Sequence, residues 1–179
     1  ELTAKYGEPV VTELNVARNG SDKLRLVVPA VYVNEFAQYI SFGMDSLSDG
    51  VSMFEKPTDK ATVRDVKAGF LQSLLHESCW QYACFRDPRN RERILYFVHN
   101  HFGFAWSPLA FWADEKLFID CFRALRVKWR QWVDDSLRRF SSRAQGMLSE
   151  TYISRIQTCC GIHMADKGNI IPEGVVRYT

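Results

Sequence analysis

Apolar and polar residues recur with a helical period most clearly between Leu117 and Phe140. At 100° per residue, one arc collects a mostly aromatic set: Phe118, Cys121, Phe122, Leu125, Trp129, Trp132, Val133 and Phe140. Arg123, Arg126 and Arg130 fall together beside this arc. The pattern predicts an amphipathic helix with an apolar face and a basic flank, around which the rest of the chain is organised.

The first part of the chain shows a period of two instead. Apolar residues alternate with polar ones over 10–17 and again over 23–28, on either side of Asn19-Gly20. Asn-Gly between two alternating segments is a strong hairpin signal, so we expect a β-hairpin within 10–28. Pro29 ends its second strand, because proline has no N–H to donate to the ladder.

Most of the remaining chain has helical spacing. A short helix is expected over 31–42, followed by a loop over 43–61 that is rich in glycine, proline and serine. Capping residues and apolar periods then predict a helical body over 62–163, with helices that start near Thr62, Asp87, Ser107, Asp114 and Ser149. An apolar segment over 169–178 indicates an edge strand.

Together these elements predict an α+β fold that is predominantly helical. It would contain five to six helices, the N-terminal hairpin and a C-terminal edge strand, within a single domain spanning 1–179. A length of 179 residues is enough for one hydrophobic core. Apolar residues make up 46% of the chain and charged residues 25%, a composition that excludes disorder over most of its length.

The net charge is only +2, but its distribution is uneven. Residues 1–60 carry six lysines and arginines against nine acidic residues, whereas residues 86–143 carry twelve against seven. This asymmetry indicates an acidic partner for the middle of the chain. The five cysteines, an odd number, favour buried thiols in a reducing compartment, and no apolar segment is long enough to span a membrane. We therefore expect a cytoplasmic protein without a membrane partner.

Arginines are the candidate nucleic-acid contacts. Guanidinium groups bind phosphates in a bidentate manner and stack on bases, so an arginine-rich helix face suits nucleic acid. The candidates form one cluster on the predicted organising helix and one earlier in the chain: Arg123, Arg126, Arg130, Arg138 and Arg139, and Arg89 and Arg91. The alternative is a solvated face whose arginines pair with nearby carboxylates such as Asp134.

Aromatic residues, 13% of the chain, give a second set of candidates. Trp106, Phe111 and Trp112 lie in an irregular stretch where exposure is easy, which makes them candidates for a partner-binding patch. Trp129 and Trp132 suit stacking on single-stranded bases. They share the predicted apolar arc, however, so the core is the favoured place for both.

Sequence motifs assign no catalysis. His99-Asn100-His101 directs two imidazoles to different sides of a helix, and the cysteines lack the paired spacing of a zinc site. A nucleophilic cysteine paired with a histidine base is an open alternative, although the spacing of these residues identifies no particular pair. Glycine-rich phosphate loops and metalloprotease signatures are absent from the sequence. We therefore assign no catalytic residue, no metal ligand and no cofactor.

The sequence favours a non-enzymatic nucleic-acid-binding domain, for DNA rather than RNA, that contacts the phosphate backbone through the basic helix face. The alternative is a protein-interaction module, either a subunit of a larger assembly or a homo-oligomer, that uses the aromatic patch. An enzyme with a cysteine–histidine site is the third hypothesis.

Overall fold

A computed structural model of the chain describes residues 2–18 and 24–166. Six α-helices, eight β-strands and one 3-10 helix lie within these two ranges. In chain order they are α1 (Leu2–Tyr6), β1 (Val11–Thr12), β2 (Asn15–Arg18), β3 (Leu24–Val27), α2 (Val31–Glu35), α3 (Leu47–Ser52), β4 (Lys60–Asp65), the 3-10 helix (Gly69–Gln72), α4 (Glu77–Trp80), β5 (Cys84–Asp87), β6 (Asn90–Tyr96), α5 (Ser107–Ala124), β7 (Lys128–Trp132), β8 (Asp135–Phe140) and α6 (Arg143–Cys159).

The chain forms two compact units, each assembled from two separate segments. Unit 1 comprises Glu1–Ser41 and Phe70–Phe111. Unit 2 comprises Phe42–Gly69 and Trp112–Thr179. Because the segments alternate along the sequence, the chain passes from one unit to the other three times, the last time within α5.

Unit 1 contains a three-stranded sheet in the order β1–β5–β6 and a separate pair of strands, β2 and β3. β1 runs parallel to β5, whereas β5 and β6 form an antiparallel hairpin. Gly103 permits a close backbone approach in this unit, because a Cβ at its φ of +123° would lie 1.9 Å from the carbonyl oxygen of Val28. The buried core of unit 1 consists of Ala30, Val33, Leu75, Ala83 and Phe104.

Unit 2 is built on an antiparallel sheet in the order β4–β8–β7. One side of this sheet packs against α5 and α6 through a cluster of Ile119, Phe122, Trp129 and Ile153. A second cluster joins the end of α3 to β4 and β8 through Met53, Ala61 and Leu137. Side chains are therefore buried from successive positions of the same strand, as in β8, where Ser136, Leu137 and Arg138 are all buried.

The prediction of a predominantly helical fold was wrong. The fold is α+β, with 36% helix and 26% strand in the part of the chain that the structure describes. The predicted organising helix over 117–140 divides into the end of α5 and the hairpin of β7 and β8. Because side chains on both faces of this hairpin are buried, its apolar residues do not show a period of two, and they imitated a helical period instead.

The predicted helical body over 62–163 was wrong in further places: Asp114 starts no new helix but lies inside α5. Thr62 lies inside β4, and Asp87 lies at the end of β5 rather than at the start of a helix. The Asp87 carboxylate accepts a hydrogen bond of 2.9 Å from the backbone amide of Arg89. Asp-Pro therefore makes a hairpin turn here, with the same side-chain-to-backbone chemistry that caps helices elsewhere.

Other predicted elements are present with different limits. β2 and β3 pair antiparallel within 10–28, although the turn at Asn19-Gly20 lies outside the described residues and β1 pairs with β5. The last helix begins at Arg143, where Ser142 rather than Ser149 accepts the capping hydrogen bond. The predicted helix over 31–42 is limited to α2, the predicted loop over 43–61 contains α3, and the predicted strand over 169–178 lies outside the described residues.

Helices in the described parts of the chain lack the combination of length and apolar character that crossing a bilayer requires. The five cysteines are free thiols. Cys84 is buried and Cys79 is half-buried, but Cys121, Cys159 and Cys160 are exposed. The prediction of buried thiols was therefore wrong for these three, which lie on the outer sides of α5 and α6 or just beyond the end of α6.

Candidate active site

The turn between β7 and β8 brings three carboxylates of unit 2 together. Asp134 lies in the turn, Asp135 begins β8, and Asp65 ends β4. Asp65 and Asp135 stand opposite each other in the antiparallel pairing of β4 with β8. One carboxylate oxygen from each of the three residues lies within 4.8 Å of the other two. Asp65 is buried, whereas Asp134 and Asp135 are half-buried and accessible to a ligand from solvent.

The turn that carries Asp134 is tight and strained. Trp132 pairs with Asp135, so only Val133 and Asp134 connect the two strands. Two-residue hairpin turns need a positive φ at their first central residue, and Val133 has a φ of +50°. A β-branched side chain is an outlier there, at a cost of roughly 1–3 kcal/mol, and it persists only where the surrounding structure imposes it.

The end of β4 is held from two sides. The backbone amide of Val66 donates to the carbonyl oxygen of Asp134 over 2.9 Å, which joins β4 to the turn. Val66 also forms a bridge with Met164, in the segment that follows α6. In that segment the amide of Ala165 donates to the carbonyl oxygen of Asp65 over 2.8 Å. The backbone at Asp65 is therefore fixed by β8 and by the segment after α6.

A buried ion pair lies on the opposite face of the same sheet. Arg138 is fully buried and donates to Glu150 over 2.7 Å, and Glu150 also accepts a hydrogen bond of 2.8 Å from Thr62. The Arg138 guanidinium lies 3.8 Å from the ring centroid of Trp129, a cation–π geometry. Removing either charge would leave the other buried and unpaired, so this network ties α6 firmly to β4 and β8.

Glu115, on α5, is a second buried carboxyl group of unit 2. Burial raises the pKa of this group from 4.5 to about 7, while the nearby Arg138 opposes the rise and Asp114 adds to it. Among the described residues, its Oε2 atom has no hydrogen-bond partner. Glu115 therefore titrates near neutral pH, inside the unit that carries the three aspartates.

The donor set of the three aspartates suits a hard divalent cation. Mg²⁺ and Mn²⁺ prefer oxygen ligands, and Mg²⁺ is usually held by one or two carboxylates together with waters and substrate phosphates. Ionised carboxylates this close also oppose one another, so a cation between them is favoured. Asp65, Asp134 and Asp135 therefore have both the chemistry and the spacing of a divalent-metal site.

The arginines predicted to share one helix face are separated in the structure. Arg123 and Arg130 lie 2.5 and 3.8 Å from the carboxylate of Asp45. Arg126 is exposed, with a φ of +63°, in the turn between α5 and β7. The helix-face premise was therefore wrong, because the chain leaves its helical path at Ala124 and continues as a strand.

Arg138 and Arg139, at the end of the same stretch, are also engaged within unit 2. Arg138 is buried against Glu150, as described above. The Arg139 guanidinium lies 2.7 Å from Asp59 and 3.7 Å from Glu55. Burial excludes a direct phosphate contact by Arg138 in this conformation, and two carboxylates already engage Arg139.

Arg89 and Arg91 lie in unit 1, at the tip of the β5–β6 hairpin. Both are exposed. The Arg89 amide is bound by Asp87, and the Arg91 carbonyl accepts a hydrogen bond of 3.1 Å from the Arg86 guanidinium. The backbone of this hairpin tip is thereby ordered, while the side chains of Arg89 and Arg91 project into solvent.

The three predicted partner-binding aromatics do not form one exposed patch. Phe111 is only 2% exposed, and Trp106 is half-buried and stacked on Phe104 at a centroid distance of 4.4 Å. Trp112 is half-buried and belongs to unit 2 rather than unit 1. Trp129 is 1% exposed, so its predicted place in the core is correct.

Sequence reasoning missed the three aspartates as a site. Asp134 was interpreted only as an ion-pair partner of arginine. The available signal was the adjacent pair Asp134-Asp135 directly after an apolar segment, which is typical of a turn. The third carboxylate gives no such signal, because its proximity depends on the pairing of β4 with β8.

Comparisons with known proteins bear on the fold. No protein-family model matches the chain, and no curated protein matches it. Among solved structures, the chain is similar to one described as the foamy viral protease-reverse transcriptase dRH in complex with ds DNA. The TM-score is 0.74 at 18% sequence identity, over 90% of this chain and 27% of that one. The similarity shows a shared fold, and the chain spans about a quarter of that protein's length.

Proposed function

We propose that this chain is the catalytic part of a template-directed nucleic-acid polymerase, in which Asp65, Asp134 and Asp135 hold divalent metal ions. The observation that carries the proposal is the cluster of three carboxylates within 4.8 Å, on the adjacent strands β4 and β8 and on the turn between β7 and β8. Polymerases use paired divalent ions to clamp the attacking and leaving oxygens of a phosphoryl transfer. The solved neighbour is a reverse transcriptase bound to double-stranded DNA, which supports the same reaction class.

The residues of this chain would bind and orient the reacting groups. When bound, divalent ions would polarise the phosphoryl oxygens of a nucleotide and stabilise the charge that develops on them. Asp65 and Asp135 provide ligands from opposite strands, and Asp134 provides one from the turn. The hydrogen bonds at Val66 and Ala165 maintain the spacing of these ligands, because they fix the backbone on which the carboxylates are carried.

The nucleic-acid contacts of this proposal come from the arginines that remain open to solvent. Arg89 and Arg91 on the β5–β6 hairpin and Arg126 after α5 are exposed and suited to phosphate. We no longer propose the other predicted contacts, because carboxylates already engage them: Arg123, Arg130, Arg138 and Arg139. DNA is the expected nucleic acid, and the polymerase hypothesis replaces the non-enzymatic one.

Two measurements test the proposal on the wild-type chain and on three variants, Asp65→Asn, Asp134→Asn and Asp135→Asn. The first is isothermal titration with MnCl₂, and the second is primer extension on an annealed DNA template with deoxynucleotides and Mg²⁺. We expect the wild type to bind Mn²⁺ and each variant to lose more than about tenfold in affinity, since even outer partners of a metal site cost that much. Primer extension should be abolished in all three variants.

Asp120→Asn is the matched control, because Asp120 is an exposed aspartate that pairs with Lys116 on α5 of unit 2. It should leave both Mn²⁺ affinity and extension unchanged. Equal Mn²⁺ affinity in the wild type and all three site variants would contradict the proposal. A parallel extension assay on an RNA template determines which template the site accepts.

A further inference from the structure

Gln131, in β7, is a buried residue beside the metal-ligand turn, with only 2% of its surface exposed. Its side-chain amide makes two hydrogen bonds. Oε1 accepts from the indole nitrogen of Trp129 over 3.0 Å, and Nε2 donates to the carbonyl oxygen of Val133 over 2.8 Å. Its backbone amide donates to Asp45 over 2.9 Å, so Gln131 is fixed at both its main chain and its side chain.

The direction of the Gln131 amide follows from chemistry. An indole N–H can only donate, so the atom that faces Trp129 must be the amide oxygen. The amide nitrogen is then left to face the carbonyl oxygen of Val133, which can only accept. The two bonds are therefore mutually dependent, and a side chain without both a donor and an acceptor cannot replace them.

Trp129 provides a rigid support for this amide. Its ring stacks on Phe122 at a centroid distance of 5.4 Å and carries the Arg138 guanidinium at 3.8 Å. Because Arg138 is held by Glu150, the indole has little freedom to move. The position of the Gln131 amide is thus determined by packing and by a buried ion pair, on the side of the sheet away from the carboxylates.

The bond to Val133 acts on the peptide plane that precedes Asp134. The carbonyl of Val133 belongs to the planar peptide group that also contains the amide of Asp134. Fixing this carbonyl therefore fixes the direction in which the chain enters Asp134. The constraint falls on the residue with the strained φ of +50°, where the turn most needs external support.

We propose that Gln131 is a positioning residue for the metal-binding turn. Its side-chain amide is held by the rigid Trp129 ring, and it in turn fixes the orientation of the peptide group between Val133 and Asp134. This inference rests on the proposed function of the three aspartates. Gln131 does not contact a metal ion or a substrate itself. Its effect is on affinity for the ion, because a ligand that must be reoriented on binding loses part of its affinity.

The test compares Gln131→Met with the wild type by titration with MnCl₂ in the absence of nucleic acid. Methionine has a similar length and no hydrogen-bonding amide, so it fills the space without fixing the turn. We expect Mn²⁺ affinity to fall about 10- to 100-fold, the range seen when outer partners of metal ligands are removed. Gln38→Met, at an exposed glutamine of unit 1, is the control and should bind as the wild type does.

A second readout follows the turn itself. The amide of Val66 donates to the carbonyl oxygen of Asp134, so its hydrogen exchange reports on the position of the turn. Exchange at Val66 should become at least about tenfold faster in Gln131→Met, while amides at the centre of α6 stay protected. Trp129→Phe keeps the ring stack but removes the N–H that orients Gln131, and should shift both readouts in the same direction by a smaller factor.

The outcomes separate this inference from the proposed function. If the wild type binds no Mn²⁺, the proposed function fails and the role of Gln131 fails with it. If the wild type binds Mn²⁺ and Asp134→Asn does not, but Gln131→Met keeps wild-type affinity and Val66 exchange, only the positioning role is overturned. If Gln131→Met unfolds, Trp129→Phe decides: unchanged affinity and exchange in that variant overturn the role, and reduced affinity with faster exchange supports it.

Discussion

Val133 shows at the scale of one residue how this chain imposes an unfavourable conformation next to a clustered carboxylate. Three non-glycine residues have a positive φ, Ala68, Arg126 and Val133, among the described residues. Only Val133 is β-branched, and it directly precedes Asp134. The hydrogen bonds of the turn and of Gln131 impose this conformation on Val133. The strained backbone therefore persists directly before the Asp134 carboxylate and helps to fix its position.

Glu115 makes the stability of the fold depend on pH. Its folded pKa of about 7 lies above the ordinary 4.5, so between these values the folded state holds a proton that the unfolded chain has released. The free energy of unfolding therefore falls as pH rises from 4.5 to 7. Above pH 7 the full cost of burying the ionised Glu115 carboxylate is present. A rise of this size corresponds to about 3 kcal/mol.

We predict that Glu115→Gln removes this penalty. The variant should match the wild type near pH 4 and exceed its free energy of unfolding by about 3 kcal/mol near pH 8, because glutamine stays neutral. Urea denaturation at a series of pH values measures both curves. Glu92→Gln, at an exposed site on β6, should follow the wild type. A constant difference between Glu115→Gln and the wild type at all pH values would contradict the prediction.

At the scale of elements, α3 and the β7–β8 hairpin of unit 2 meet at a glycine. A Cβ at Gly50 would lie 2.8 Å from the ring of Trp132 and 3.5 Å from Leu137. Trp132 is the last residue of β7 and immediately precedes the turn formed by Val133 and Asp134. The absence of a side chain at Gly50 therefore decides how closely α3 can approach the strand that ends in the turn.

We predict that Gly50→Ala destabilises the protein by up to about 2 kcal/mol. Alanine improves helix propensity by about 1 kcal/mol, but overpacking against a rigid ring costs roughly 1–3 kcal/mol, so the clash outweighs the gain. Urea denaturation followed by tryptophan fluorescence measures the change and reports on the ring. Gly43→Ala is the control, because a Cβ there meets nothing within 4 Å. Increased stability of Gly50→Ala would show that α3 moves away without cost.

β7 is the edge strand of its sheet in unit 2, and its exposed edge is occupied by a side chain. Asp45, in the loop before α3, accepts hydrogen bonds from the Gln131 backbone amide and from Arg123. An edge amide satisfied in this way is not open for pairing with another chain. The arginines that sequence analysis assigned to nucleic acid thus contribute to closing a sheet edge.

At the scale of the whole chain, only some of the arginines predicted to contact nucleic acid are open to solvent. Carboxylates engage four of the seven predicted arginine contacts, which leaves Arg89, Arg91 and Arg126. Binding to nucleic acid would be weakened strongly by salt, since each phosphate contact releases condensed counterions.

We predict that the double variant Arg89→Ala/Arg91→Ala weakens binding to a DNA duplex and lowers the slope of log K against log salt by about 2, one unit for each lost contact. Fluorescence anisotropy at several salt concentrations measures both quantities. Lys5→Ala serves as the control in unit 1, because Lys5 is already paired with Glu77. An unchanged salt slope in the double variant would remove the β5–β6 hairpin from the proposed interface.

Predictions from local sequence patterns were correct where the conformation of a short segment depends mainly on its own residues. The alternation on either side of Asn19-Gly20 predicted strands that do pair, and Ser107 does begin a helix. The same kind of signal failed at Asp87-Pro88, because helix caps and hairpin turns use the same aspartate chemistry. It failed again over 117–140, where buried residues on both faces of a hairpin imitate a helical stripe.

The sequence by itself determined the pairing of β2 with β3 and the supply of carboxylates and arginines. Only the tertiary structure decided which of these groups meet. Asp65 reaches Asp134 and Asp135 because β4 pairs with β8, and Arg138 is withdrawn from solvent because Glu150 of α6 lies beside it. Local preferences act over a few residues, whereas strand pairing and burial join positions that are distant in the chain, so only the folded molecule brings the three aspartates together.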